Sequence, residues 1–129
     1  MINALLISPE KNIFLEIEKG FSSHSITHEW TDNADKALSM LSDKNFDLVI
    51  FEEQIPGIDP RKFIENILLK NAMINCAVIS SLSHKDFHEK YEGLGVLMQF
   101  PPKPERSHVT ELVDQLEKIA GIAARTQEL

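Results

Sequence analysis

A doubly wound α/β domain with one five-stranded parallel sheet, built from five successive βα units, is what this sequence predicts. Three observations lead there. Short apolar runs alternate with amphipathic stretches along the chain, at roughly 25 residues per pair, which leaves room for a strand, a helix and tight loops. One run, Asp47-Leu48-Val49-Ile50-Phe51, is continuously apolar after its first residue, as a central parallel strand covered on both faces must be. The whole chain, 129 residues, has the length of one domain.

The elements follow in order. Ala4, Leu5, Leu6 and Ile7 read as a buried first strand. Over 9–21, Ile13, Phe14, Ile17 and Phe21 recur at helical spacing. A weaker second strand spans 25–30, and Thr31, Asp32 and Asn33 supply capping residues for a helix striped by Ala34, Ala37, Leu38 and Leu41. After the strand ending at Phe51, Ile55-Pro56-Gly57 reads as a turn. Pro60 suits a first helical turn, and Phe63, Ile64, Ile67 and Leu68 mark the buried face. Cys76, Ala77, Val78 and Ile79 form a fourth strand. Ser83 with Asp86 resembles a capping box opening a short helix to Glu92. A fifth strand over 96–100 and the stiff loop Pro101-Pro102-Lys103-Pro104 precede a last helix. Ser107 is its expected cap, and Val109, Leu112, Val113, Leu116, Ile119, Ala120 and Ala123 form its stripe. The domain is expected to span 1–124, with 125–129 a polar tail that frays.

Composition narrows the function classes. At 43% hydrophobic and 26% charged the chain has an ordinary globular balance, and its formal net charge of -7 disfavours direct nucleic-acid binding. The single cysteine, Cys76, excludes an intramolecular disulfide and a thiolate metal cluster. The opening residues lack the basic and apolar regions of a signal peptide, and no apolar run approaches the ~20 residues of a membrane helix. No membrane association and a cytoplasmic location are expected. Dinucleotide, P-loop and hydrolase motifs are absent from the sequence.

In doubly wound sheets, sites lie beyond the carboxyl ends of the strands. The loops there read Ser8-Pro9-Glu10, Glu52-Glu53-Gln54-Ile55-Pro56-Gly57, Ser80-Ser81 and Lys103-Pro104. The stretch 47–59, DLVIFEEQIPGID, resembles the DLVxxDxxMPxMDG pattern of the response-regulator receiver (CheY-like, flavodoxin-like) family. Lys103-Pro104 matches that family's Lys-Pro after the fifth strand, Ser80 its hydroxyl at the end of the fourth, and Phe100 its aromatic switch position. Ser81 stays open as an alternative switch hydroxyl; Ser80 is preferred because it directly follows the apolar run. The resemblance covers nearly the whole chain and implies a role in two-component (phosphorelay) signal transduction.

The departures from that pattern carry the functional expectation. A receiver moves a phosphoryl group from a phosphohistidine to its own aspartate, with Mg²⁺ neutralising charge. The implied acceptor position holds Glu52, whose carboxylate lies roughly 1.5 Å, one C–C bond, further out than that of aspartate. The acidic pair implied after the first strand falls on Ser8 and Pro9, leaving only Glu10 nearby. With Glu52 and Gln54 these complete a degenerate set of Mg²⁺ positions: Ser8, Pro9, Glu10, Glu52 and Gln54. No cofactor, no bound metal and no enzymatic activity are therefore expected. Lys103 and Ser80 are expected to approach Glu52, which would then either imitate the phosphorylated state or merely stabilise the strand ends.

The reading that results is a pseudo-receiver, a regulatory protein-binding module that works without phosphorylation. The alternative is a functional receiver that takes a phosphoryl group from a histidine kinase with Mg²⁺. A small-molecule or nucleotide binder on the same fold is a third. The partner, whether a histidine kinase, an output domain or a second copy, is expected on the face of the fourth helix, fifth strand and fifth helix. There Tyr91, Leu97, Met98 and Phe100 stand among Lys90, Arg106 and Glu111. His84 and His88, four apart on a helix, lack an obvious third ligand and read as a solvated face. Glu52, Glu53 and Asp59 read as loop carboxylates.

Overall fold

The computed structural model describes residues 2–128, with side chains to residue 119. Five strands, β1 (Ile2–Ile7), β2 (Ile26–Thr31), β3 (Leu48–Glu52), β4 (Asn75–Ile79) and β5 (Met98–Phe100), alternate with α1 (Leu15–Ser22), α2 (Ala34–Asp43), α3 (Pro60–Lys70), α4 (His84–Lys90) and α5 (Arg106–Glu128). All strand pairs are parallel and the order is β2-β1-β3-β4-β5. The chain reverses its direction of travel across the sheet between β1 and β3, and this order places a crevice there.

Alternation along β3 divides the core. Val49 and Phe51 join Phe63, Ile64, Ile67, Phe87 and Tyr91 beneath α2, α3 and α4. Leu48 and Ile50 join Phe14, Ile17, Phe21, Val109 and Leu112 beneath α1 and α5. Helices α1 and α5 approach closely, since a Cβ on Gly20 would lie 2.7 Å from a methyl of Val109. Cys76 is buried among apolar neighbours, which pushes its thiol up to about 12.

The capping signals resolve individually. Asn33 caps α2 by accepting from the Lys36 amide, Asp59 caps α3 by accepting from Arg61, and Ser83 caps α4 by accepting from Asp86. Ile55-Pro56-Gly57 is a turn closed by the Ile58 amide on the Ile55 carbonyl. Gly57 takes φ +76° there, a conformation that favours glycine.

Several expectations need correction. The first helix is not continuous from residue 9. A 3-10 turn, Lys11–Phe14, precedes α1, because Glu10 provides no side-chain cap and the tighter hydrogen bonding satisfies the free amides instead. Ser107 lies inside α5 and does not cap it. The His108 ring Nδ1 accepts from the Glu105 amide at 2.8 Å, closing the helix start from its first turn. Ile119 is largely exposed although it continues the apolar period. The α5 backbone continues helical to Glu128, through most of the expected tail; the side chains of Ala120, Ala123 and 125–129 lie outside the described residues.

Candidate functional site

The carboxyl ends of β1, β3 and β4 meet at the crevice. Ile7 pairs with Phe51 across β1 and β3, so Ser8 and Glu52 emerge side by side. Ser8 is fully buried, and its hydroxyl is committed twice. It donates to Glu52 Oε2 at 2.7 Å and accepts from the Glu10 amide at 3.0 Å. The Ser8 backbone is fixed as well: its amide donates to the Thr31 carbonyl, and its carbonyl accepts from the Trp30 indole at 3.1 Å. Lys11 lies over that indole, 5.6 Å from the ring centroid. Pro9 and Glu10 are exposed; the Glu10 amide donates to Ser8 and its carbonyl accepts from the Ile13 amide, while its carboxylate has no described hydrogen bond.

Glu52, Glu53, Gln54, Ile79, Ser80, Ser81 and Pro102 line a cleft of about 100 Å³. Ser80 is buried and its hydroxyl accepts from the Leu82 amide at 3.1 Å, while Ser81 is exposed. That favours Ser80 as the built-in hydroxyl of the strand end. The Ser80 amide donates to the Phe100 carbonyl. Gln99 donates to the carbonyls of Ser80 and Leu82, fastening the loop after β4 to β5. Phe100 is fully buried on the α1–α5 side of the sheet, its ring 6.1 Å from that of His108. Gln54 is exposed.

Lys103 does not behave as the resemblance implies. It is exposed, and among the described residues no ion pair joins it to Glu52. The hydroxyl that meets Glu52 is that of Ser8, on the adjacent strand, and not that of Ser80. Among the described residues no three His, Cys, Asp or Glu side chains converge as a metal would require.

Glu53 turns to the opposite face, as strand alternation requires. It accepts a hydrogen bond from the Tyr91 hydroxyl and pairs with Lys90 at 3.5 Å. Burial first, and then the Glu53 contact, push the Tyr91 phenol well above its ordinary range. Arg61, at the start of α3, donates to the carbonyls of Lys90 and Glu92 at the end of α4. The fourth helix is thus tied to the segment that follows β3.

This network revises the expected partner face. Tyr91 and Phe100 are core residues, leaving Leu97 and Met98 half-buried at its surface. Arg106 belongs to the α1–α5 junction, where it pairs with Glu16 at 2.9 Å. The Arg106 guanidinium, and then Lys19, hold the Glu16 carboxyl below the usual range. The sequence offered no signal for the Tyr91–Glu53 pair, because the partners are separated by 38 residues and each resembles an ordinary polar or interface residue.

No protein-family model matches the chain, and no curated protein matches it. Solved structures do. The receiver domain of an HD domain-containing protein from Pseudomonas fluorescens Pf-5 is 17% identical; 96% of this chain aligns with 93% of that one, at a TM-score of 0.78. A CheY-like receiver domain protein from Methanospirillum hungatei JF-1 is 10% identical, with 92% and 98% covered and a TM-score of 0.76. An orphan response regulator of H. pylori is 20% identical, with 89% and 96% covered and a TM-score of 0.74. Strand order, helix placement and these likenesses agree: the chain has the CheY-like, flavodoxin-type fold of response-regulator receiver domains.

Proposed function

We propose that this protein is a pseudo-receiver, a regulatory module of two-component-type signalling that acts by binding another protein and performs no phosphoryl chemistry. The observation that carries the reading is the partly buried hydrogen bond from Ser8 to Glu52. A phosphoryl-accepting site needs a carboxylate free to attack and a Mg²⁺ held by further carboxylates. Here the acceptor position is occupied by a longer side chain, and a neutral hydroxyl satisfies it from the place where a metal-binding acid is implied.

The donor set does not fit Mg²⁺. That ion demands near-octahedral oxygen ligation at short distances. The Ser8 hydroxyl is neutral and already holds Glu52 and the Glu10 amide, Pro9 carries no side-chain oxygen, and Glu10 is exposed. Glu52 would be the lone carboxylate. No step through a metal follows from such a set, and no cofactor belongs to this reading.

The partner-binding face is assigned to α4, β5 and α5, around half-buried Leu97 and Met98. A histidine kinase, an output domain or a second copy are the partner classes this fold suggests. Among the described residues no helix is long and apolar enough to cross a membrane. The cytoplasm is the proposed compartment. Intact mass after incubation with acetyl phosphate or phosphoramidate and Mg²⁺ tests the central claim. The expected result is an unchanged mass. A gain of one phosphoryl group that disappears in Glu52→Ala would instead establish a working receiver.

A further inference from the structure

On the solvent side of α4, beside buried Phe87, whose ring lies 6.5 Å from that of His88, the exposed imidazoles of His84 and His88 converge. Their Nε2 atoms are 3.1 Å apart, their planes are nearly perpendicular at 88°, and their centroids are 4.4 Å apart. The Glu52 site does not involve them. We propose that His84 and His88 form a two-histidine chelate for a single borderline divalent cation, with water completing its coordination.

The spacing supports this directly. With metal–nitrogen bonds of about 2.05 Å, two nitrogens 3.1 Å apart subtend an angle of about 98° at the metal. That lies between the right angle of square-planar and octahedral geometry and the tetrahedral angle. A metal on both ring axes would place the centroids roughly 5 Å apart, so the observed 4.4 Å requires only a small outward rotation of exposed side chains. Perpendicular planes are no obstacle, since each nitrogen lone pair lies in its own ring plane.

The surroundings also favour a cation. Asp86, Glu89 and Glu92 lie in the same segment. Of the two lysines there, Lys90 turns its charge toward Glu53. On the His88 side, that ring, Glu89 and Glu92 line a cleft of about 440 Å³ beside α4; His84 lies outside it. Among the described residues no third His, Cys, Asp or Glu completes a cluster, so the site is open. Imidazole pairs select borderline metals over Mg²⁺ or Ca²⁺, and affinity should run Cu²⁺ above Ni²⁺ and Zn²⁺. Spacing four apart in the sequence allows such a pair; the convergence of the two nitrogens is visible only in the structure.

Calorimetric titration of the whole protein with Cu²⁺, Ni²⁺, Zn²⁺ and Mg²⁺ tests the proposal. One Cu²⁺ per chain is expected, with a dissociation constant on the order of 10 μM and no Mg²⁺ binding at this site. Removing either ring abolishes the chelate, so His84→Ala and His88→Ala should each weaken binding about a hundredfold. Both positions are exposed, and circular dichroism will show whether the variants keep their fold; His84→Gln and His88→Gln serve if they do not. Sub-stoichiometric Cu²⁺ should broaden the ring resonances of His84 and His88 before those of His24, His28 and His108. Absence of saturation up to millimolar metal, unchanged affinity in either folded variant, or broadening that begins at another histidine would each overturn the proposal.

Discussion

Glu52, the last residue of β3, and Glu53, the first beyond it, have opposite circumstances. Glu52 is half-buried beside the crevice and takes one described hydrogen bond, from Ser8. Glu53 has a side chain only 10% exposed, and it takes the Tyr91 hydroxyl and the Lys90 ammonium from α4. A carboxylate as covered as Glu53 must be paired, because water can no longer compensate it. Glu52, also partly buried, has a single described partner and borders the cleft, where water can replace that partner. The acceptor-position glutamate is therefore the more dispensable of the two for folding, and its neighbour is the one that holds a helix in place.

The largest expected effect lies on the Glu53 side. Tyr91 packs on Phe87, with centroids 4.8 Å apart, and lies in the core beneath α4. Tyr91→Ala removes that packing and leaves Glu53 short of a partner, so a loss of about 4 kcal/mol in urea unfolding is expected. Tyr91→Phe keeps the ring and isolates the hydroxyl, at about 2 kcal/mol. The pH dependence has a definite sign. The Tyr91 phenol is raised above its unfolded value of about 10, so its contribution is fully present below that pH and is lost as pH rises toward the folded value. Stability should fall more steeply in the wild type than in Tyr91→Phe above about pH 10. Cys76 is raised too, but it is common to both proteins and cancels in the comparison. Parallel curves would mean that neither burial nor the Glu53 contact raises the phenol.

The sequence made the two sides of β3 unequally legible. The sheet, its doubly wound connections and the helix faces followed from local periodicity, because each burying face is specified within one element. Capping residues were equally local, and Asn33, Asp59 and Ser83 all cap where side-chain chemistry allows. Alternation also placed Glu53 opposite Glu52. What alternation could not supply was a partner for either. Tyr91 reaches Glu53 from α4, and Ser8 reaches Glu52 from β1, 44 residues away in sequence. Such pairs depend on register and side-chain reach. Composition misled for the same reason: Tyr91 and Phe100 look like interface aromatics in sequence and are core residues in the structure.

A smaller effect is expected on the Glu52 side. Ser8→Ala deletes the hydroxyl that serves Glu52 and the Glu10 amide, both of which border solvent and can be hydrated. The expected loss is about 1 kcal/mol, below that of Tyr91→Phe. A double-mutant cycle of Ser8→Ala with Glu52→Gln measures the pair itself. A Ser8→Ala loss equal to or larger than that of Tyr91→Phe would reverse the ranking of the two glutamates and show that the crevice is a principal support of the fold.

The smallest effect belongs to Lys103. Pro102 and Pro104 flank it and restrict the backbone, and Pro104 is buried, which anchors the loop while the lysine side chain remains exposed. With its ammonium out of ion-pair range of Glu52, Lys103→Met should change stability by less than about 0.5 kcal/mol. Any residual attraction would require the Glu52 carboxylate, so it would disappear when that group is replaced by an amide. The effect of Lys103→Met should accordingly be the same in the wild type and in a Glu52→Gln background. An effect that is present in the wild type and vanishes in Glu52→Gln would show that the lysine swings onto Glu52 in solution. Glu52 would then have a charged partner as Glu53 does, and the contrast between the two neighbours would narrow.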